Sequence, residues 1–154
     1  MKYSITDYFG RMVQLAPRLG LYSVRDYAGT ELPGLAVILD DVTNPDMPEQ
    51  YCVLTVSFGD FIGMKNCAYI DTNNCGFADQ LCEQGLGTNT GFTRQSGFCK
   101  YPLWWFDEST LKEIDSEIYQ KYSDAYDEYM ESMHGDNDDP DDGLDDDLGS
   151  EMTM

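Results

Sequence analysis

Pro33-Gly34-Leu35-Ala36-Val37-Ile38-Leu39 joins a turn signal to an unbroken apolar run. A run this short, opened by Pro-Gly, predicts a central strand of a sheet. Such a strand needs neighbours, and the flanking sequence supplies candidates. Lys2 to Leu15 holds aromatic and β-branched residues in partial alternation, and Leu21 to Tyr27 alternates between Gly20 and Gly29. On the other side, Asn44-Pro45-Asp46-Met47-Pro48 is a turn or loop. Tyr51 to Phe58 then carries Val53, Thr55 and Val56, and Cys67 to Ile70 is a further short apolar stretch. Four or five strands in succession, with no helix between them, predict an antiparallel sheet.

Helical periodicity begins after that sheet. Phe77 to Gln84 predicts a short helix that stops at Gly85, a C′ glycine. A longer helix is predicted from Thr110 to Met133, where Thr110 and Glu113 have capping-box spacing. Leu111, Ile114, Ile118, Tyr122, Ala125, Tyr129 and Met133 recur at three- and four-residue steps and make one apolar stripe. Beyond Gly135 the chain is mostly Asp, Asn, Gly and Pro, with Leu144 and Leu148 as its large aliphatic residues. Such a segment buries too little surface to offset its ordering entropy, so disorder is expected. The predicted fold is α+β. One domain spans 1–134, with an antiparallel sheet, a short helix and a long C-terminal helix, and a disordered acidic tail spans 135–154.

The charge is segregated. The 154-residue chain has 9 basic and 29 acidic residues, a net of −20. Residues 1–106 hold 11 acids against 7 bases, and residues 107–154 hold 18 against 2. Direct contact with a nucleic-acid backbone is repulsive at that charge, and so is adsorption to an anionic membrane. Basic proteins and cations are the natural partners. The N-terminus mixes Lys2, Asp7 and Arg11 among its apolar residues, so no secretory signal is expected. No stretch reaches the roughly 18 apolar residues of a membrane span. Five cysteines, an odd number without a C-x-x-C pair, favour reduced thiols in a cytoplasm.

Several chemistries fail on spacing. Gly85, Gly87 and Gly91 read G-x-G-x-x-x-G after helical residues, which departs from the dinucleotide fingerprint. Cys75 and Cys82 could share a helix face, but the sole histidine, His134, sits at the start of the tail and makes neither a zinc site nor a base for a cysteine nucleophile. With Gly143 as the loop glycine, an EF-hand would put Pro140 and Gly149 at ligand positions. A run of solvated aspartates offers no pocket to separate two carboxyl pKa values. No cofactor, metal or catalytic residue is therefore assigned. Trp104-Trp105-Phe106 and the tyrosines of the long helix read as core.

The most specific stretch runs from Ala68 to Trp105. It holds Tyr69-Ile70-Asp71-Thr72-Asn73-Asn74, then Gly85-Leu86-Gly87, Thr90-Gly91, and Ser96-Gly97-Phe98-Cys99-Lys100-Tyr101-Pro102-Leu103. On physical grounds Asp71 to Asn74 make a turn and an N-cap, the glycines permit tight turns, and Tyr101-Pro102 restarts an extended segment. These blocks resemble an uncharacterised bacterial family, domain of unknown function 4313, over roughly residues 35–110. The resemblance implies single-domain proteins of gut bacteria, often carried on plasmids and integrated mobile elements. It implies no activity.

Charge and resemblance together lead to an interaction protein rather than an enzyme. Glu113, Glu117, Asp124, Asp127, Glu128 and Glu131 fall off the apolar stripe. Four helical residues advance about 6 Å, a step on the scale of successive phosphates. The expectation is an anti-defence protein, anti-CRISPR or antirestriction, that sets this row into the basic groove of a CRISPR effector or restriction enzyme. One alternative is an accessory mobile-element protein whose tail serves solubility or binds a basic partner. Another is an enzyme with an unfamiliar site around Asp71, Asn73, Ser96 and Tyr101.

Overall fold

The computed structural model describes residues 1–135. The chain falls into two compact units, residues 1–122 and residues 123–154. Gly135, the first residue of the predicted disordered tail, ends the last helix, and the rest of that tail lies outside the described residues.

The first unit holds two four-stranded sheets, where the sequence predicted one. Strands β1 (Tyr3–Thr6), β2 (Met12–Arg25), β3 (Glu31–Asp41) and β4 (Glu49–Val53) form an antiparallel meander in chain order. Strands β5 (Thr55–Val56), β6 (Cys67–Ile70), β7 (Thr88–Ser96) and β8 (Cys99–Trp105) form the second sheet, in the order β5-β6-β8-β7. Helix α1 (Ala78–Glu83) lies between β6 and β7, and α2 (Glu108–Gly135) follows β8. The α+β class stands.

The apolar run 35–39 is in the interior of the first sheet. Paired to β2 and β4, it buries Leu35, Ala36, Val37 and Leu39. Three boundaries differ from the sequence reading. Lys2 to Leu15 is not one strand. Asp7 Oδ1 accepts the main-chain N–H groups of Phe9 and Arg11, and Gly10 takes φ +81°, so the chain reverses between β1 and β2. Tyr51 to Phe58 is also divided. Leu54, wholly buried, donates to Val37 O and accepts from Asp71 N, and there the chain passes from one sheet to the other. The Gly85–Pro102 region, read as turns and a restart, is largely the β7–β8 hairpin. Its polar, exposed strand (Thr88 to Ser96) lacks the apolar alternation by which strands are recognised.

The long helix is interrupted. It starts at Glu108 rather than Thr110, and Asp115 has φ −163° and ψ 95° inside it. Asp115 Oδ1 accepts the N–H groups of Glu117 and Ile118 at 3.1 and 3.0 Å, so Asp115 caps a fresh helical segment. The break rotates the apolar stripe. In the first unit Leu111, Tyr119 and Tyr122 are buried, while Ile114 and Ile118 are half-buried. In the second unit Ser123 and Tyr126 are buried, Ala125 and Tyr129 half-buried, and Met133 exposed. Trp104 and Phe106 are core, but Trp105, on the other face of β8, is exposed.

Candidate functional site

The signature residues occupy connections and the β7–β8 hairpin. Asp71 organises the turn after β6: its carboxylate accepts Asn74 N–H and the Asn74 amide, and its carbonyl accepts Cys75 N. It does not cap α1, whose N-cap position is Phe77 and has no side-chain cap. Thr72 is half-buried and Asn73 exposed. Gly85 ends α1 with φ +87°, while Leu86 N–H reaches Leu81 O and Gly85 N–H reaches Cys82 O. That is a Schellman closure, with Leu81 and Leu86 both buried. Gly87 allows close packing, since a Cβ there would lie 2.9 Å from Trp104 Cε3. Gly91 sits at φ +90° in the irregular stretch between Asn89 and Thr93. Ser96 pairs with Cys99 around Gly97 (φ +62°) and Phe98, a two-residue hairpin turn with glycine first. Pro102 pairs with Thr93 beside that irregularity and beyond the β6 pairing, so its missing N–H breaks no regular ladder there.

A half-open cleft of about 480 Å³ lies elsewhere in the first unit. Its walls come from the β2–β3 hairpin (Tyr22, Val24, Pro33), the loop Ser57–Met64, and the second sheet (Tyr69, Leu103, Phe92). Arg94 stands at its edge. Its guanidinium lies 4.4 Å from the Phe58 ring centroid and donates to Asp60 Oδ2 at 2.8 Å. Phe58 in turn meets Tyr69 and Tyr101 at ring-centroid distances of 5.6 and 5.3 Å. None of Asp71, Asn73, Ser96 and Tyr101 lines this cleft. The sequence reading did not single it out. The one signal for it was a loop, Phe58 to Met64, unusually apolar for its two glycines.

A second arrangement went unread. Asn66 is buried with φ +65°, a left-handed backbone that Asn tolerates. Its N–H donates to Tyr122 Oη, its Oδ1 accepts from Tyr119 Oη, and its carbonyl accepts Phe106 N–H. Two helix tyrosines thereby anchor the loop before β6.

Cys75 and Cys82 are not on one helix face. Cys75 precedes α1 and donates its S–H to Cys52 Sγ at 3.4 Å, while Cys82 donates to Gly87 O. Among the described residues no three His, Cys, Asp or Glu side chains gather as a metal site. None of the described helices is long and apolar enough to cross a membrane.

The six carboxylates predicted to meet a partner are all exposed. The helix that carries them is interrupted at Asp115. Glu113 precedes the break at Asp115, and its charge bears on Tyr3, where burial first and this carboxylate second raise the phenol pKa. Glu117 follows the break. In the second unit Asp124, Asp127, Glu128 and Glu131 recur at three- and four-residue steps and so share one side of the helix.

The fold and its connections define a small α+β protein of two antiparallel sheets. The chain belongs to the family described as Domain of unknown function (DUF4313), whose pattern matches residues 23–126. The match is wider than the resemblance read from the sequence. It takes in the end of β2 and much of α2, and it stops before Asp127, Glu128 and Glu131. No curated protein matches the chain, and no solved structure does.

Proposed function

We propose that this chain is a non-enzymatic binding protein whose acidic C-terminal third engages the basic groove of a nucleic-acid-binding protein. The observation that carries the reading is the segregation of charge: 18 acids against 2 bases in residues 107–154, with every predicted contact carboxylate on α2 exposed. A surface of one charge sign is complementary to one of the other, so a Lys/Arg-lined groove is the matching surface. Four of them, Asp124, Asp127, Glu128 and Glu131, span seven helical steps, about 10 Å along the axis. The finer reading is anti-defence: the groove belongs to a restriction enzyme or CRISPR effector and the chain excludes its DNA. Carriage on a mobile element is part of that same proposal.

The test is a DNA-binding and cleavage assay on a panel of purified restriction enzymes and RNA-guided nucleases. The full chain, added at stoichiometric concentration, should abolish DNA binding by at least one class. Unchanged binding across the panel would remove the anti-defence reading.

A further inference from the structure

Two thiols from distant parts of the sequence meet in the first unit. Cys52 is on β4, and Cys75 is in the turn that Asp71 organises. Their sulfurs are 3.4 Å apart across 23 residues of sequence. Cys75 has no exposed surface, and its S–H is also 3.5 Å from Val53 O. Cys52 is half-buried and reachable from solvent. We infer that Cys52 and Cys75 form a peroxide-reactive pair in which Cys52 is attacked first and Cys75 resolves it to a disulfide.

The chemistry follows from that asymmetry. The thiolate is the nucleophile, and a donor aimed at it favours it. The S–H of Cys75 is that donor: this hydrogen bond lowers the Cys52 pKa, and the same bond, with burial, raises that of Cys75. The oxidant is a hydroperoxide. The Cys52 thiolate attacks its distal oxygen, an S–O bond forms, the O–O bond breaks, and the peroxide leaves as an alcohol or water. Cys52 is then a sulfenic acid, two electrons more oxidised. Cys75 attacks that sulfur, an S–S bond forms, the S–O bond breaks, and hydroxide departs as water with the Cys75 proton. Two thiols and one hydroperoxide give one disulfide, one alcohol and one water. The product ties β4 of the first sheet to the Asp71–Cys75 turn of the family signature.

The other cysteines serve as internal controls. Cys67 is buried, with burial raising its pKa, and Cys82 donates to Gly87 O. Cys99 is half-buried like Cys52, but the contact described for it is with Tyr101.

The full reduced chain is treated with one equivalent of hydrogen peroxide, alkylated under denaturing conditions, digested and read by mass spectrometry. The expected product is a Cys52–Cys75 crosslinked peptide, reversed by dithiothreitol, with the other three thiols alkylated. In Cys75→Ser, dimedone should trap Cys52 as a sulfenic acid. In Cys52→Ser, Cys75 should stay reduced at the same dose. A wild-type chain in which Cys52 remains alkylatable, stays as a sulfenic acid, or crosslinks to Cys82 or Cys99 would overturn the inference. The wild-type arm decides the matter even where a serine variant folds poorly.

Discussion

Gly87 and Asn66 each hold a place that few other residues can take. At Gly87 the obstacle is space: a methyl group would meet Trp104 at 2.9 Å and Phe106 at 3.1 Å, both ring atoms of buried side chains. Gly87→Ala should therefore destabilise the protein by about 1–3 kcal/mol, read as a lowered urea midpoint at unchanged slope. At Asn66 the backbone is left-handed and the side chain accepts the Tyr119 hydroxyl. Asn66→Ala meets both costs, while Asn66→Gly keeps the backbone and loses only the acceptor. The alanine variant should be the less stable of the two by about 1 kcal/mol. Equal stabilities would show that the backbone conformation is not what Asn66 supplies. Asp7 gives a pH signature. The N–H of Arg11, more than that of Phe9, holds its carboxyl below the ordinary value of 3.8. A group lowered on folding stabilises the turn above that ordinary value, and the stabilisation fades as pH falls through its own lower one. A carboxyl NMR titration should place the Asp7 midpoint below 3.8.

At the scale of elements, periodicity was a good guide where the sequence was apolar and a poor one where it was polar. The Leu35–Leu39 run announced an interior strand: Leu35, Ala36, Val37 and Leu39 are buried and Ile38 is half-buried. The β7 strand could not announce itself: Thr88 to Ser96 is largely exposed and buries nothing that would impose alternation. The hairpin turn at Gly97-Phe98 was visible as glycine, but not as the pivot between two strands. The division of Tyr51–Phe58 depends on a single residue, Leu54, whose backbone bonds to two different partners. No local pattern encodes that. In the long helix the stripe was legible and its phase was not, because Asp115 resembles any surface acid until its carboxylate is seen capping Glu117 and Ile118. Asp115→Ala should cost about 1 kcal/mol, the worth of an N-cap, with a loss of helical circular dichroism. Asp115→Asn, which keeps the capping oxygen, should retain most of it. Asp71–Asn74 was legible as a turn, but the N-cap read with it is absent, since α1 starts after Phe77 with no side-chain cap. The Cys52–Cys75 contact and the Asn66 anchor were out of reach, since each joins residues more than 20 positions apart.

For the whole molecule, the family match covers the two sheets from the end of β2 onward and closes within α2. The acidity is distributed otherwise, with 18 of the 29 acids after Phe106 and a run of them past residue 126. We propose that a partner reads this charge, part of which, Asp127, Glu128 and Glu131 on α2, lies past the family match. Binding should then weaken with salt, because exposed charges are screened over about 8–10 Å near physiological ionic strength. The loss should fall more on association than on dissociation, as steering by rim charges requires.

The central claim, that carboxylates on the helix engage a basic partner, meets its most direct test in a pair of charge reversals. One variant carries Lys at Asp124, Asp127, Glu128 and Glu131, and the other carries Lys at Asp141, Asp142, Asp145 and Asp146. Each is compared with wild type for binding to the inhibited nuclease, with thermal melting as the check on folding. The account predicts that the helix variant loses binding while the tail variant keeps it and both melt cooperatively. Loss of binding in the tail variant alone would contradict it and make the tail the recruiting element.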